Sequence, residues 1–265
     1  MRRQADIAFF CDARAVHFKK WIEALTERGY LLDVFSPWQD PESQNRHQAY
    51  TTPKAPFPIP TSVKTFGKVV MRARNGRLIK NRLKPNPPKL VHAHFLLDSG
   101  WMAAQLDMHP FVVTVHGSDL LVHPGKSRIQ KFVANQVLQR CDRVVIVSEH
   151  LREKLSHYRV PEHKIRQVPS FIETSRFFPN NRPPRDRVVI GSARNFEPVY
   201  DVATLLKAVP IIAEDHPNVE VHLAGDGTQK EHLEKLATEL GVKNKVKFLG
   251  YLDQKQLADF FRKID

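Results

Sequence analysis

Short apolar runs of five to seven residues recur along the chain, each followed by a stretch with helical periodicity. ADIAFFC (5–11), LLDVFS (31–36), LVHAH (90–94), FVVTV (111–115) and RVVIV (143–147) are rich in β-branched or aromatic residues and too short for buried helices, so they read as strands. Between the first two, Phe18, Trp21, Ile22 and Leu25 fall at i, i+3, i+4 and i+7, and Gly29 closes this helix as a C-cap glycine. Strands that alternate with helices in this way form parallel sheets covered on both faces.

Further helices are expected near 97–107, near 127–140 and from Glu149, the last with Ser148 as N-cap. KIRQV (164–168) adds a strand. The proline-rich stretch 37–60 reads as a loop. Residues 169–187 are rich in Pro, Asn and Arg, and after them the pattern restarts. Strands RVVIGS (187–192), VEVHLAG (219–225) and KVKFLG (245–250) alternate with helices marked by Val202, Leu205, Leu206, Val209 and Ile212, by Leu233, Leu236 and Leu240, and by a start near Gln254. A length of 265 residues suits two domains. The expected architecture is therefore α/β: two doubly wound, Rossmann-like domains, 1–170 and 187–265, joined by a linker at 171–186. Ligands would bind in a cleft between them, beyond the carboxyl ends of the strands.

The net charge of +13 is unevenly placed, with no acidic residue between Glu42 and Asp98. The segment 61–89 carries nine basic residues, among them Arg72, Arg74, Arg77, Lys80 and Arg82. Val63, Phe66 and Val70 give it an imperfect apolar stripe, so a helix is expected despite Gly67 and Gly76, ended by Pro85, Pro87 and Pro88. Three readings stand. It is a solvated helix face, a nucleic-acid patch, or a peripheral patch for an anionic membrane. Only Phe66 is available to stack on bases, which counts against nucleic acid. Apolar residues interleaved with Lys and Arg suit a lipid surface better. No apolar stretch approaches a membrane span, and the apolar start ends too early for a signal peptide. Cys11 and Cys141 lie far apart in apolar surroundings, as buried thiols of a reducing compartment would. A cytoplasmic protein is expected.

His116 stands at the carboxyl end of FVVTV, followed by Gly117, Ser118 and Asp119. Doubly wound folds place ligands there, although Gly-Ser-Asp is also ordinary turn chemistry. Asp119 would orient the imidazole or cap the next helix. AGDG (224–227) links a strand to a helix and could bring backbone amides to an anion, but it matches neither GxGxxG nor a P-loop, and a tight turn fits it as well. Arg194, just past a strand, is either a phosphate ligand or a solvated loop residue. His92-Ala93-His94 has the spacing of two ligands on one strand face. No carboxylate or cysteine clusters with it, so no metal site is expected.

Taken in order, FFCDARAVHFKKWIEALTERGYLLDVFS, VHAHF, VVTVHGSD, RVVIVSEHLREKL, KIRQVPSFIETSRFFP, GSARNFEPVYDVATLLKAV and VHLAGDGTQKEHLEKLATELGVKNKVKFLGYL resemble the retaining glycosyltransferases of family 4, which have the GT-B fold. The resemblance covers nearly the whole chain. It implies that the first domain binds a glycan or lipid-linked acceptor, with Asp12, Arg14, His17 and Asp119 on that side, and that the second binds a nucleotide-sugar. His116 matches the histidine that contacts the donor sugar, Arg194 the arginine on its diphosphate, and Gly225 and Gly227 the loop near the nucleotide. No metal or other cofactor is implied, and the mechanism is front-face substitution, which demands stabilisation of developing phosphate charge. The family often has a lysine a few residues after the arginine. Here Pro198-Val199-Tyr200-Asp201 stands there, which puts an uncharged Tyr200 on the donor side. The family's paired glutamates, seven residues apart, do not occur, so the chain is expected to be a C-terminally truncated enzyme that binds donor poorly. The alternative is a non-catalytic binding protein on a degenerate GT-B scaffold.

Overall fold

The computed structural model describes residues 4–36, 48–51, 64–179 and 186–265. It divides into two compact units, Met1–Ser170 and Phe171–Asp265. In the first, β1 (Ile7–Phe10), α1 (Val16–Glu27), β2 (Leu32–Ser36) and β3 (Gln48–Thr51) are followed by α2 (Lys64–Leu83) and β4 (Leu90–His94). A π-helical turn, Phe95–Gly100, then runs into α3 (Trp101–Ala103). β5 (Phe111–Val115), α4 (Ser118–Leu121), α5 (Arg128–Arg140), β6 (Arg143–Ile146), α6 (His150–Ser156) and β7 (Ile165–Gln167) complete it. The strands form one parallel sheet in the order β3-β2-β1-β4-β5-β6-β7. The order reverses between β1 and β4, which is where doubly wound sheets open a ligand crevice.

The second unit contains β8 (Val189–Ala193), α7 (Val202–Asp215), β9 (Glu220–Ala224), α8 (Lys230–Glu239), β10 (Val246–Gly250) and α9 (Gln254–Phe261). Its strands are parallel in the order β10-β9-β8. Asp253 and Gln256 form a reciprocal capping box that starts α9. The two parallel sheets with their helices give the GT-B type of α/β fold.

Strand pleating divides the first core in two. Ala8 and Phe10 join one cluster, with Phe35, Val113 and Leu138, while Ile7 and Phe9 join the other, with Phe18, Ile22 and Val34. Both faces of the sheet are therefore buried, as the nearly continuous apolar runs require. Phe196, Leu206, Val221 and Leu233 centre the core of the second unit.

Several local expectations change. Within 37–60, Gln48–Thr51 pairs with β2 as an edge strand, and the remaining residues of that stretch lie outside the described ones. The helix expected at 97–107 is a π-helical turn plus a three-residue α-helix. Ser148 does not cap α6, whose N-cap is Glu149 with no side-chain cap bond. The basic segment is helical through Gly76 because the missing side chain is required there. A Cβ would lie 2.3 Å from the carbonyl oxygen of Met102, so the glycine lets α2 lie against α3. Trp101 Nε1 donates to the carbonyl of Val69 at 3.0 Å and fastens the same contact.

Candidate functional site

In the first unit the chemistry gathers at the carboxyl edge of the sheet. His116 follows β5, Phe95 follows β4, and Asp12, Arg14 and His17 follow β1. His94 pairs with Thr114 across β4 and β5, so His94 and His116 project on the same face. Their rings meet, with Nδ1 of His94 2.9 Å from Nε2 of His116. One step back along the strands, His92 Nε2 lies 2.8 Å from the Thr114 hydroxyl. His17 approaches from α1, its ring centroid 5.7 Å from that of His116, and the rings of Phe18 and Phe95 flank His116 at 5.4 and 4.6 Å.

This cluster is held neutral. Burial lowers His116 to about 4, assisted by His17. Burial likewise lowers His92 to about 4, with a contribution from His116, and drives His94 well below the usual histidine range. His17, packed on Phe18, is lowered by partial burial against the opposing pull of Asp12. A buried cation would have to be desolvated, and no carboxylate oxygen is hydrogen-bonded to any of these four rings among the described residues. The arrangement suits hydrogen bonding to an uncharged group. Among the described residues no group of three or more His, Cys, Asp and Glu side chains is disposed to hold a metal ion.

Asp119 lies in the first turn of α4, whose N-cap is Gly117. It is 1% exposed, and its carboxylate accepts from the backbone N–H of His116 at 3.0 Å and of Leu96 at 3.1 Å. Burial raises its pKa against these amide bonds. Its role in the geometry is to tie the chain after β5 to the chain after β4. Asp12 is occupied by Arg14, which donates from Nε at 3.0 Å and from Nη2 at 2.9 Å. Burial pushes Asp12 up, but the Arg14 hydrogen bonds prevail and hold it below the usual range.

Two features of this edge have no clear mark in the sequence. Phe95 has a positive φ of 70°, a strained conformation for a bulky residue, and it opens the π-helical turn. Both features concentrate at functional sites. Gly100 is the available clue, because a Cβ there would lie 2.6 Å from the Phe95 carbonyl. The other is the contact between His94 and His116, which joins residues of two different strands.

In the second unit, Arg194 follows β8 and is exposed, with its guanidinium 5.6 Å from the centre of the Tyr200 ring. The loop it begins is joined to AGDG. Phe196 N–H donates to the Asp226 carbonyl, Gln229 N–H to the Phe196 carbonyl, and Thr228 donates through both its amide and its hydroxyl to Glu197. The amides of Gly225 and Gly227 are also used, by the Gly250 carbonyl and the Asp226 side chain. AGDG is thus packed against the backbone of the loop that Arg194 begins, with the Gly225 and Gly227 amides used within the protein. Gly225 (φ +149°) is required, since a Cβ would stand 2.0 Å from the carbonyl oxygen of Arg194.

The basic segment is not one uniform patch. Arg72 is bound to Asp98 at 2.5 Å and Lys80 lies 3.5 Å from Asp107. Arg74, Arg77 and Arg82 are exposed. Among the described residues no helix is long and apolar enough to cross a membrane.

The fold is that of the GT-B glycosyltransferases. Residues 15–176 match the family described as Glycosyltransferase Family 4, and residues 173–265 match Glycosyl transferases group 1. The chain belongs to glycosyltransferase family 4. It is 27% identical over 232 residues to a D-inositol 3-phosphate glycosyltransferase of Streptomyces avermitilis, covering 77% of this chain and 49% of that protein. It is 24% identical over 272 residues to an uncharacterized glycosyltransferase of Methanocaldococcus jannaschii, covering 95% of this chain and 68% of that protein. The chain thus spans about half the length of the first of these relatives. Among solved structures, a sucrose-phosphate synthase from Thermosynechococcus elongatus shares the fold with a TM-score of 0.73 at 19% identity, over 99% of this chain and 74% of that one. Anabaena HepE in complex with UDP and glucose gives 0.66 at 17% identity, over 96% and 71%.

Proposed function

We propose that this chain supplies the acceptor-binding unit and part of the donor-binding unit of a glycosyltransferase. The enzyme would transfer a hexose from a nucleotide-sugar to a glycan or lipid-linked acceptor with retention. The observation that carries the reading is the pairing of chemistries within one chain of this family. A neutral histidine stands at the strand ends of the first unit, and an exposed arginine, at the start of a loop clasped to AGDG, stands at those of the second. His116 hydrogen-bonds the transferred sugar, and Asp12, Arg14 and His17 line the acceptor side, where Asp119 fixes the backbone. Arg194, stacked near Tyr200, neutralises the charge that grows on the leaving diphosphate. Gly225 and Gly227 lie in the loop near the nucleotide, where their lack of a side chain lets it pack on the backbone of Arg194 and Phe196.

Titration calorimetry with UDP-, GDP- and ADP-sugars tests the donor half. One nucleotide class should bind, weakly in the absence of the paired glutamates, and Arg194→Ala should weaken it further by roughly 10- to 100-fold, the range expected when a charge-assisted hydrogen bond is removed. Equal affinity in the variant would remove Arg194 from the site. Binding without transfer to any acceptor, in a panel read by mass spectrometry, would favour the non-catalytic alternative.

A lipid-linked acceptor calls for an approach to an anionic membrane from the cytoplasmic side, and α2 has a face suited to it. Phe66, Val70, Arg74, Arg77 and Leu78 lie at helical spacing on one side, and all five are exposed. The protein should sediment with vesicles containing anionic lipid. Arg74→Glu with Arg77→Glu should release it, whereas Arg72, occupied by Asp98, should matter less. Equal sedimentation with neutral vesicles would refute the electrostatic part.

A further inference from the structure

His94 is fully buried, and its two ring nitrogens meet different fates. Nδ1 lies 2.9 Å from Nε2 of His116, while Nε2 is buried with no hydrogen-bond partner among the described residues. The rings of Phe9, Phe18 and Trp21 surround the imidazole at centroid distances of 4.8, 4.9 and 5.7 Å. With both imidazoles neutral, one proton is shared along the contact, and two arrangements exist. In the first, His116 donates from Nε2, so the single proton of His94 sits on the other nitrogen, a buried N–H with no acceptor. In the second, His94 donates from Nδ1 and leaves only a lone pair among the aromatic rings. Orphaned buried N–H groups are the rarer defect in folded proteins, and an N–H directed at a ring face recovers only a second-order interaction. The second arrangement is favoured.

We infer that His94 is a positioning residue for His116: its Nδ1–H occupies Nε2 of His116, so that His116 carries its own proton on Nδ1. The inference builds on the proposed role of His116 toward the sugar and adds what kind of group it is. With Nε2 occupied, His116 offers one hydrogen-bond donor, Nδ1–H, and no free lone pair. It can hold a sugar hydroxyl through the hydroxyl's oxygen, but it cannot remove a proton as a base. An imidazole in water favours the Nε2–H form, so the partner forces the less common tautomer. The other groups facing His116 do not compete for its Nε2. His17 from α1 makes ring contact, Phe18 and Phe95 are apolar, and Asp119 holds the backbone amide.

Long-range proton–nitrogen NMR on the ¹⁵N-histidine-labelled chain at pH 7 reads tautomers directly, whether or not the chain turns over a sugar. His94 and His116 should both be protonated at Nδ1 alone. His94→Asn, whose amide N–H replaces Nδ1–H, should leave His116 in that form. His94→Phe should return His116 toward the Nε2–H form. His116 protonated at Nε2 in the unaltered protein, or unchanged by His94→Phe, would overturn the inference. Should His94→Phe not fold, the unaltered protein and the asparagine variant still decide. In an active full-length enzyme carrying these residues, kcat/KM should fall 10- to 100-fold for His94→Phe and only a few-fold for His94→Asn. A tautomer result as expected with no effect on transfer would set aside the role in sugar binding and keep the tautomer assignment.

Discussion

Gly225→Ala should disrupt the second unit. The added Cβ meets the carbonyl oxygen of Arg194 at 2.0 Å, and the φ of +149° is one that a side chain rarely adopts. Both partners are backbone, so no flexible side-chain end can yield. Backbone strain of about 1–3 kcal/mol and overpacking of about 1–3 kcal/mol combine to a loss of several kcal/mol. That approaches the whole stability of a unit this size, roughly 5–10 kcal/mol. Thermal unfolding by circular dichroism should show the second unit melting at much lower temperature. Gly241→Ala is the control. Its φ is +71° with nothing within 4 Å of the new Cβ, so only about 1–2 kcal/mol should be lost. Equal effects of the two substitutions would contradict the backbone collision, and with it the packing of AGDG on the backbone of Arg194.

Acid should destabilise the first unit well above the range in which carboxylates titrate. In the unfolded chain histidines take up protons near pH 6.5, whereas His92 and His116 do so in the folded protein only at about 4. Between these values the unfolded state binds more protons, so stability falls as pH falls from about 6.5 to 4 and is level above 7. At 1.36 kcal/mol per unit, the two histidines together account for on the order of 5 kcal/mol by pH 4. His94 acts in the same direction. Asp119, raised by burial, opposes it near the lower end of the range. Guanidinium titrations at pH 7.5, 6, 5 and 4.5 should give a midpoint for the first unit that declines steadily. A midpoint unchanged from pH 7.5 to 4.5 would mean that these histidines are not buried as neutral rings.

The central strands of the first unit were legible because residues buried on both faces leave nearly continuous apolar runs, as in FVVTV, while β10 showed through its alternation of buried Val246 with exposed Lys247. The chain after β4 was less legible. A helix is expected near 97–107, but the turn begins earlier, with π winding and a positive φ at Phe95 that no propensity foretells. Ser148 failed as a cap because the turn begins one residue later. The strand Gln48–Thr51 was hidden among prolines, being a short edge strand paired on one side. In the site, His116 was visible from its position at a strand end. Its partner was not, because His94 lies 22 residues away and reaches it only through sheet register. The charge of α2 was readable, but Asp98 and Asp107, which take up Arg72 and Lys80, come from segments that sequence does not place beside it.

The bonds of Asp119 give the tip of the first sheet a shared dynamics. One carboxylate accepts from the amide after β5 and from an amide two residues beyond β4, so fluctuations that lift α4 release both at once. The two strand ends then open as a single cooperative unit instead of fraying separately, and their amides should exchange with solvent at one common rate. His116, α4 and the end of β4 should therefore move as one body, so that a ligand meeting His116 meets a surface tied to both strands.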